Sequence, residues 1–435
     1  MAISPPKDPN GKTYEDMVTA YLSTMGYFTE SNLTLKQDNR DVLELDIVAT
    51  PSNSDYQQRC IIEVKSGKKI GCNEVFKLAG WMKYLNLSKS CLTHKVEVKS
   101  HDYETMLAVA EDLGIELWHF NLSQGIEGNI FPPCQEDDDF LHHTFFFPAY
   151  YLKIAERKAM DDFLRFCKDR KNEPEVAILR DYNDAIIDSF FQKSPLARSK
   201  ALYNAYARFG SVTVKLIEYL VSQTNEKQEK IIWGAWNTSE QLEVQYLMGL
   251  EHRARVAIIK NALDRVVEQE TLSLKDSSPF WVGAFENINV GTRSFLEGIE
   301  WLKQFEKRYN VPYFMQVFIE VFGGFYFKNC EKDRELLSRI SGLTTDEIDE
   351  VLEQGFKAFF YTDWLVESGE MTFLKFVPAY MRGAGCFIRE NFQNIKFVTD
   401  IYPQKSKILR NWRKALFQIL EPICSVEKIS LDKQS

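Results

Sequence analysis

Two charged residues, Glu63 and Lys65, interrupt the stretch "CIIEVKSGKK" (60–69), in which Cys60, Ile61, Ile62 and Val64 read as a buried strand. Side chains alternate along a strand, so Ile61, Glu63 and Lys65 share one face and Cys60, Ile62 and Val64 the other. Glu63 and Lys65 then stand about 7 Å apart. The preceding stretch, "VLELDIVAT" (42–50), places Leu43, Leu45 and Ile47 on one face and Glu44, Asp46 and Val48 on the other. If the two strands pair antiparallel across the turn "PSNSDYQQR", Asp46 comes beside Glu63. Two neighbouring buried carboxylates repel strongly unless a cation joins them. Mg²⁺ suits such a pair, because it is held by one or two carboxylates together with water and substrate phosphate; Mn²⁺ serves similar oxygen ligands. An ion held there polarises a phosphodiester and acidifies a bound water. Lys65 is placed to orient that water and to stabilise charge developing on the phosphate. Glu15, on a preceding helical stretch, is positioned to reach the same place and to bind a second metal, directly or through water. The bland alternative for Glu63 and Lys65 alone is a surface ion pair worth about 0–1 kcal/mol.

The elements that must position these groups follow from periodicity. "TYEDMVTAYLSTMG" (13–26) gathers Tyr14, Met17, Val18, Tyr21, Leu22 and Met25 on one helical face and stops at Gly26. "YFTESNLTLK", "VLELDIVAT" and "CIIEVKS" read as three strands separated by turns. "CNEVFKLAGWMKYLN" (72–86) is helical, "SCLTHKVEV" a strand, "DYETMLAVAEDLG" a helix ended by Gly114, and "IELWHF" a last strand. The expected order is α-β-β-β-α-β-α-β, an α/β domain over residues 1–122 with a mixed sheet flanked by helices.

An acidic residue at the end of one strand, followed after a turn by Glu-x-Lys on the next, resembles the PD-(D/E)XK nuclease superfamily. The resemblance covers about the first 120 residues. It implies a restriction-endonuclease-like core, with Asp46 and Glu63 as metal-binding acids, Lys65 as the motif lysine and Glu15 as the helical glutamate. Leu45 stands where the family's name has proline. The following helix, "NEVFKLAGWMKYL", lacks the glutamine that marks one branch. Lys68, Lys69 and Lys77 are candidates for contact with nucleic-acid phosphate, against the plain alternative of solvated surface. The implied activity is metal-dependent hydrolysis of phosphodiester bonds, with DNA the expected substrate and RNA left open. A nuclease joined to a large companion region fits restriction or phage defence, where cleavage is gated. Cutting both strands of a duplex together calls for a dimer, or for a partner protein in a multi-component system. The competing reading is a catalytically inactive nuclease fold that binds nucleic acid or assembles with partners.

The remaining chain has a different texture. "NLSQGIEGNIFPPCQEDDDF" reads as a connection over 123–147, and the acid run Glu136–Asp139 could also occupy a basic groove as a built-in inhibitor. From 148 to 435 nearly every segment has helical period, which predicts a large all-α region that senses the target or assembles the oligomer. "LLSRISGLTTDEIDEVLEQGF" (336–356) has the spacing of a helix-turn-helix, with Thr344 and Glu347 set for a capping box. Its second helix carries Asp346, Glu347, Asp349, Glu350 and Glu353, which phosphate would repel, so an ordinary helical hairpin is expected.

At 435 residues the chain is long enough for two or three domains, and its 45% hydrophobic and 26% charged residues are those of a globular protein. The first residues lack the apolar core of a signal segment, and the longest apolar run, "VPYFMQVFIEVFGGFYF" (311–327), is broken by Glu320 and a glycine pair. A buried helix, no membrane span and a cytoplasmic location are therefore expected. Eight cysteines without a CxxC pair read as reduced thiols; a zinc site from Cys134, His142 and His143 matches no common spacing. The net charge of −9 argues against a surface coated for polyanions, but not against a local basic groove such as "SGKKIG" or "KSKILRNWRKAL" (404–416).

Overall fold

The structure is a computed structural model that describes residues 8–37, 40–52, 59–67, 70–96, 100–120, 139–169, 172, 174–192, 291–320, 322–327, 331–359, 365–368 and 371–374, and scattered positions within 197–263. The N-terminal elements run α1 (Lys12–Thr24), β1 (Tyr27–Gln37), β2 (Arg40–Pro51), β3 (Cys60–Lys65), α2 (Cys72–Leu85), β4 (Lys89–His94), α3 (Ser100–Asp112) and β5 (Ile115–His119). This is the expected order. The five strands form one sheet in the order β1-β2-β3-β4-β5. The turn-linked strands β1, β2 and β3 pair antiparallel, and β3, β4 and β5 pair parallel. The change of direction has a local cause, since a parallel return needs a helical crossover and α2 and α3 supply one each. Gly26 and Gly114 close the turns after α1 and α3 at φ 88° and 68°, in the left-handed region that favours glycine.

Two apolar layers cover the sheet. On one side Tyr14, Met17, Val18 and Tyr21 of α1 pack with Ile47, Ile62, Val64, Trp118 and Phe120. On the other, Val75, Leu78 and Met82 of α2 and Met106 and Ala110 of α3 pack with Leu43, Leu45, Val48, Ile61 and Leu92. The next helix, α4 (Asp139–Asp169), begins inside the stretch read as a connection. Its Phe146, Ala149, Tyr150 and Ile154 join the α1 layer, so this helix completes the N-terminal core. Phe190, at the end of α5 (Pro174–Phe190), and the adjoining Phe191 join the opposite layer.

The later described residues form α6 (Gly291–Gln304), α7 (Asn310–Glu320), α8 (Glu331–Ser341), α9 (Thr345–Glu350), a π-helical turn over Val351–Gly355 and α10 (Phe356–Phe359). They are not purely helical. β6 (Phe325–Phe327), β7 (Leu365–Ser368) and β8 (Met371–Leu374) make an antiparallel sheet in the order β6-β8-β7, which corrects the all-α expectation. The physical reason lies in the apolar run itself. Every residue of α7 from Val311 to Glu320 is buried, as expected of a buried helix, but the helix ends at Glu320. Gly323 and Gly324 then turn at φ 64° and 71°, and the β-prone Phe325, Tyr326 and Phe327 leave in an extended path.

α7 also covers the open edge of the main sheet. Gln316 accepts from the Thr29 N–H at 3.1 Å and donates to the Thr29 carbonyl at 3.3 Å, while Tyr313 Oη donates to the Ser23 carbonyl at 2.7 Å. The glutamine amide stands in for a neighbouring strand along β1, an edge that would otherwise invite pairing. α8 and α9 form the expected hairpin, with both halves of the Thr344–Glu347 capping box made. Three of the four acids of α9 are engaged by the protein's own groups: Glu347 by Lys307 at 2.9 Å, Asp349 by Arg334 at 2.8 Å and Glu350 by Trp301 Nε1 at 2.7 Å.

The acid run at 136–138, Cys134, the side chains of His142 and His143, and the basic cluster 404–416 lie outside the described residues. Cys60, Cys72, Cys91 and Cys167 are free thiols. Among the described residues no helix is long and apolar enough to cross a membrane.

Candidate active site

β2 and β3 remain paired only as far as Ile47 and Ile62, in a register that would next set Asp46 opposite Glu63. There the ladder gives way to a side chain: Asp46 Oδ2 accepts from the Val64 backbone N–H at 2.8 Å. The alternation of β2 slips at this point. Leu43 and Leu45 pack on the α2 side with Val48, whereas Ile47 packs on the α1 side, contrary to the strict alternation read from the sequence. Asn32 faces this slip from β1, between the pairs Ser31–Ile47 and Leu33–Leu45, and adopts φ 54°. Asparagine is among the few non-glycine residues that tolerate this conformation. A local kink of this kind re-aims a side chain out of the pleat. β3 itself alternates as expected, with Ile61 in the α2 layer and Cys60, Ile62 and Val64 in the α1 layer.

Glu63 is 1% exposed, an unusual burial for a carboxylate. One oxygen, Oε1, accepts from Lys65 and from Lys77 Nζ of α2, the latter at 2.9 Å. The other, Oε2, is buried and has no hydrogen-bond partner among the described residues. Burial raises the Asp46 carboxyl to about 7, with repulsion from Glu63 as the next cause; the Val64 N–H and Lys65 pull it down, and Glu15 adds to the rise. Burial lowers the Lys65 ammonium, but the hydrogen bond and charge of Glu63, with Asp46 and Glu74, outweigh it, so Lys65 stays protonated.

Glu15 approaches from α1, whose first turn is tied to the end of β3 by the Gly11 N–H donating to Ser66 Oγ at 2.8 Å. Tyr14 Oη donates to the Phe120 carbonyl at 2.8 Å and fixes the same turn to the end of β5. Burial and then Asp16 raise the Glu15 carboxyl, Glu44 adds to the rise, and Lys12 and Lys65 lower it. Glu15 thus feels the charges of the site, but among the described residues no three His, Cys, Asp or Glu side chains converge tightly enough to hold an ion together. Two carboxylates with oxygen donors only, one with an unpartnered buried oxygen, fit Mg²⁺ or Mn²⁺ completed by water and phosphate.

Lys77, a candidate for phosphate contact, has its ammonium against Glu63 and 4.0 Å above the Trp81 ring centroid. Its four-residue spacing from Trp81 was the available sign, since such pairs meet on a helix. Lys68 and Lys69 lie outside the described residues. Sequence reasoning missed Asn32, Ser66 and Glu74; the last caps α2 by accepting from the Gly71 N–H at 3.0 Å.

The raised Asp46 carboxyl has a consequence for stability without metal. The folded chain holds this proton up to about 7, whereas the unfolded chain releases it near 3.8. Between these values the folded state binds more protons, so this group's contribution to stability is lost as pH rises through that window. In EDTA, the denaturation midpoint of wild type should fall relative to Asp46→Asn as pH rises from about 4 to 7. A gap between the two proteins that stays constant across this range would show that Asp46 is not perturbed.

Neither a protein-family model, nor a curated protein, nor a solved structure matches this chain.

Proposed function

We propose that the protein is a Mg²⁺- or Mn²⁺-dependent nuclease of the PD-(D/E)XK type that hydrolyses phosphodiester bonds, with DNA as its substrate. The observation that carries the reading is the parting of β2 and β3 at Asp46 and Glu63. Asp46 is held there by the Val64 N–H, and Glu63 is buried with Oε2 unpartnered. A metal bound by these acids would supply Lewis-acid polarisation of the phosphate and a more acidic water. Lys65, kept cationic beside Glu63, positions water and steadies charge on the phosphate oxygens. Glu15 adds negative charge from α1. The later helices and small sheet gate, sense or assemble, in keeping with a restriction or phage-defence nuclease that works as a homo-oligomer or with a partner protein.

One observation favours the alternative of a retired nuclease fold that binds or assembles: Lys65 and Lys77 already neutralise Glu63 without an ion. A cleavage assay separates the two. Supercoiled, linear and single-stranded DNA and RNA are incubated with Mg²⁺ or Mn²⁺, beside EDTA controls and Lys65→Ala. The nuclease reading expects cuts in DNA that disappear in EDTA and fall sharply in the variant. Equal behaviour of wild type and Lys65→Ala on every substrate, in the presence of any binding partner encoded alongside, overturns it.

A further inference from the structure

α2 carries an exposed stripe that neither the fold nor the acidic site uses. Among the described residues five large apolar side chains are exposed: Val42, Phe76, Tyr84, Leu113 and Leu164. The two aromatic ones, Phe76 at 56% and Tyr84 at 49%, both lie on α2. Their spacing of eight residues puts them on one face, about 12 Å apart along the axis. Gly80 stands between them, and a Cβ added there would meet nothing within 4 Å. A glycine in a helix interior is unfavourable, and no packing contact requires this one, so its effect is to leave the middle of the stripe bare. Lys77 and Trp81 flank the gap, with the Lys77 ammonium over the indole ring. The same ammonium, at the end of a side chain 46% exposed, is 2.9 Å from Glu63 Oε1. The flank of the stripe therefore adjoins the acidic site at Lys77. α2 has one acidic residue, Glu74, which is turned back to cap Gly71, whereas Lys77 and Lys83 are exposed.

We infer that this face of α2 is the track for an unpaired DNA strand, whose bases stack on Phe76 and Tyr84 while Lys77 and Lys83 accompany its backbone towards Asp46 and Glu63. Exposed rings interleaved with cations are what a single strand requires, since every base offers a flat face and every nucleotide a phosphate. A duplex keeps its base faces stacked inside and gains nothing from these rings. The inference rests on the nuclease reading for its choice of DNA and for the direction of the strand, and it narrows the substrate to DNA that is single-stranded, frayed or flapped near the cut.

The test measures fluorescence anisotropy of labelled (dT)30, a 30-bp duplex and (rU)30 in EDTA, with the full chain. Phe76→Ala and Tyr84→Ala should each weaken (dT)30 binding at least about fivefold, while Tyr84→Phe and the distant Leu164→Ala leave it unchanged. Gly80→Gln improves helix propensity in open space, so its fold is secure, and it should weaken (dT)30 binding by obstructing the stripe. Absence of (dT)30 binding, equal affinity of wild type and the double alanine variant, or losses confined to (rU)30 would each overturn the assignment. A change of oligomeric state in the alanine variants, with DNA binding intact, assigns the stripe to a second copy of the chain instead. If (dT)30 binding depends on the rings but no metal-dependent cleavage occurs, the track stands and the nuclease reading falls.

Discussion

Replacing Glu63 by Gln is expected to reduce metal-dependent cleavage by about 100-fold or more, while the metal-free protein becomes as stable as wild type or more so. The proposed role gives the two effects opposite signs, because the Glu63 carboxylate that would hold the metal is a burden on the metal-free fold. Its Oε2 is buried without a hydrogen-bond partner among the described residues, and its charge is a leading cause of the raised Asp46 carboxyl. An amide of the same shape relieves that repulsion but gives a weaker ligand for a hard cation. Lys65 and Lys77 would lose their common anion, yet both are partly exposed and can turn to water. The measurements are initial cleavage rates in Mg²⁺ and denaturation midpoints in EDTA. Loss of activity together with loss of stability would mark Glu63 as a structural ion-pair partner and undo its assignment to the site. Asp46→Asn should show the same opposition, although the Val64 N–H then faces an amide, whose carbonyl can still accept.

The largest stability effect is expected at Lys153 of α4. This side chain is 7% exposed and lies 2.8 Å from Glu320 of α7 and 3.2 Å from Glu156. Gln316 Nε2 also donates to Glu320 at 3.2 Å, so the cluster adjoins the amide that covers Thr29. Lys153→Ala leaves two largely buried carboxyls, Glu320 at 11% and Glu156 at 22% exposure, without their cation, a defect that costs about 3–5 kcal/mol. Burial and the charge of Glu320 already push Glu156 above the usual carboxylate range, although Lys153 pulls it down. Losing the Lys153 charge raises Glu156 further, so the cost of the substitution grows as pH rises. Lys153→Met combined with Glu320→Gln should recover most of the loss, because removing both members of a buried pair is far milder than removing one. A denaturation midpoint for Lys153→Ala close to that of wild type would show that water reaches the cluster and that α4 and α7 are not held by it.

Much of the N-terminal domain was legible because its signals are local. Alternating residues in 27–37, 40–51 and 60–65, helical stripes in α1, α2 and α3, and glycine stops at Gly26 and Gly114 each concern neighbours in the chain. The pairing of β2 with β3 was legible too, since a short turn leaves antiparallel pairing as the available arrangement. The later region was read less well at Gly323–Gly324, where one apolar run holds both a helix and a strand. Hydrophobicity gives burial there but not period, and the glycine pair alone marks the change.

The sequence by itself determined which groups could do chemistry: Asp46, Glu63 and Lys65, with Glu15 on the first helix, in an order of elements that brings them to one sheet. Tertiary structure decided how each is placed. The left-handed Asn32 and the Val64 N–H turn Asp46 out of its expected alternation, because hydrogen bonds between distant strands outweigh the local pleat. Lys77 reaches Glu63 because α2 is the crossover that returns the chain from β3 to β4, and α7 meets Thr29 along the open edge of β1. Contacts between residues so far apart in the chain follow from the packing of whole elements, which no local pattern encodes.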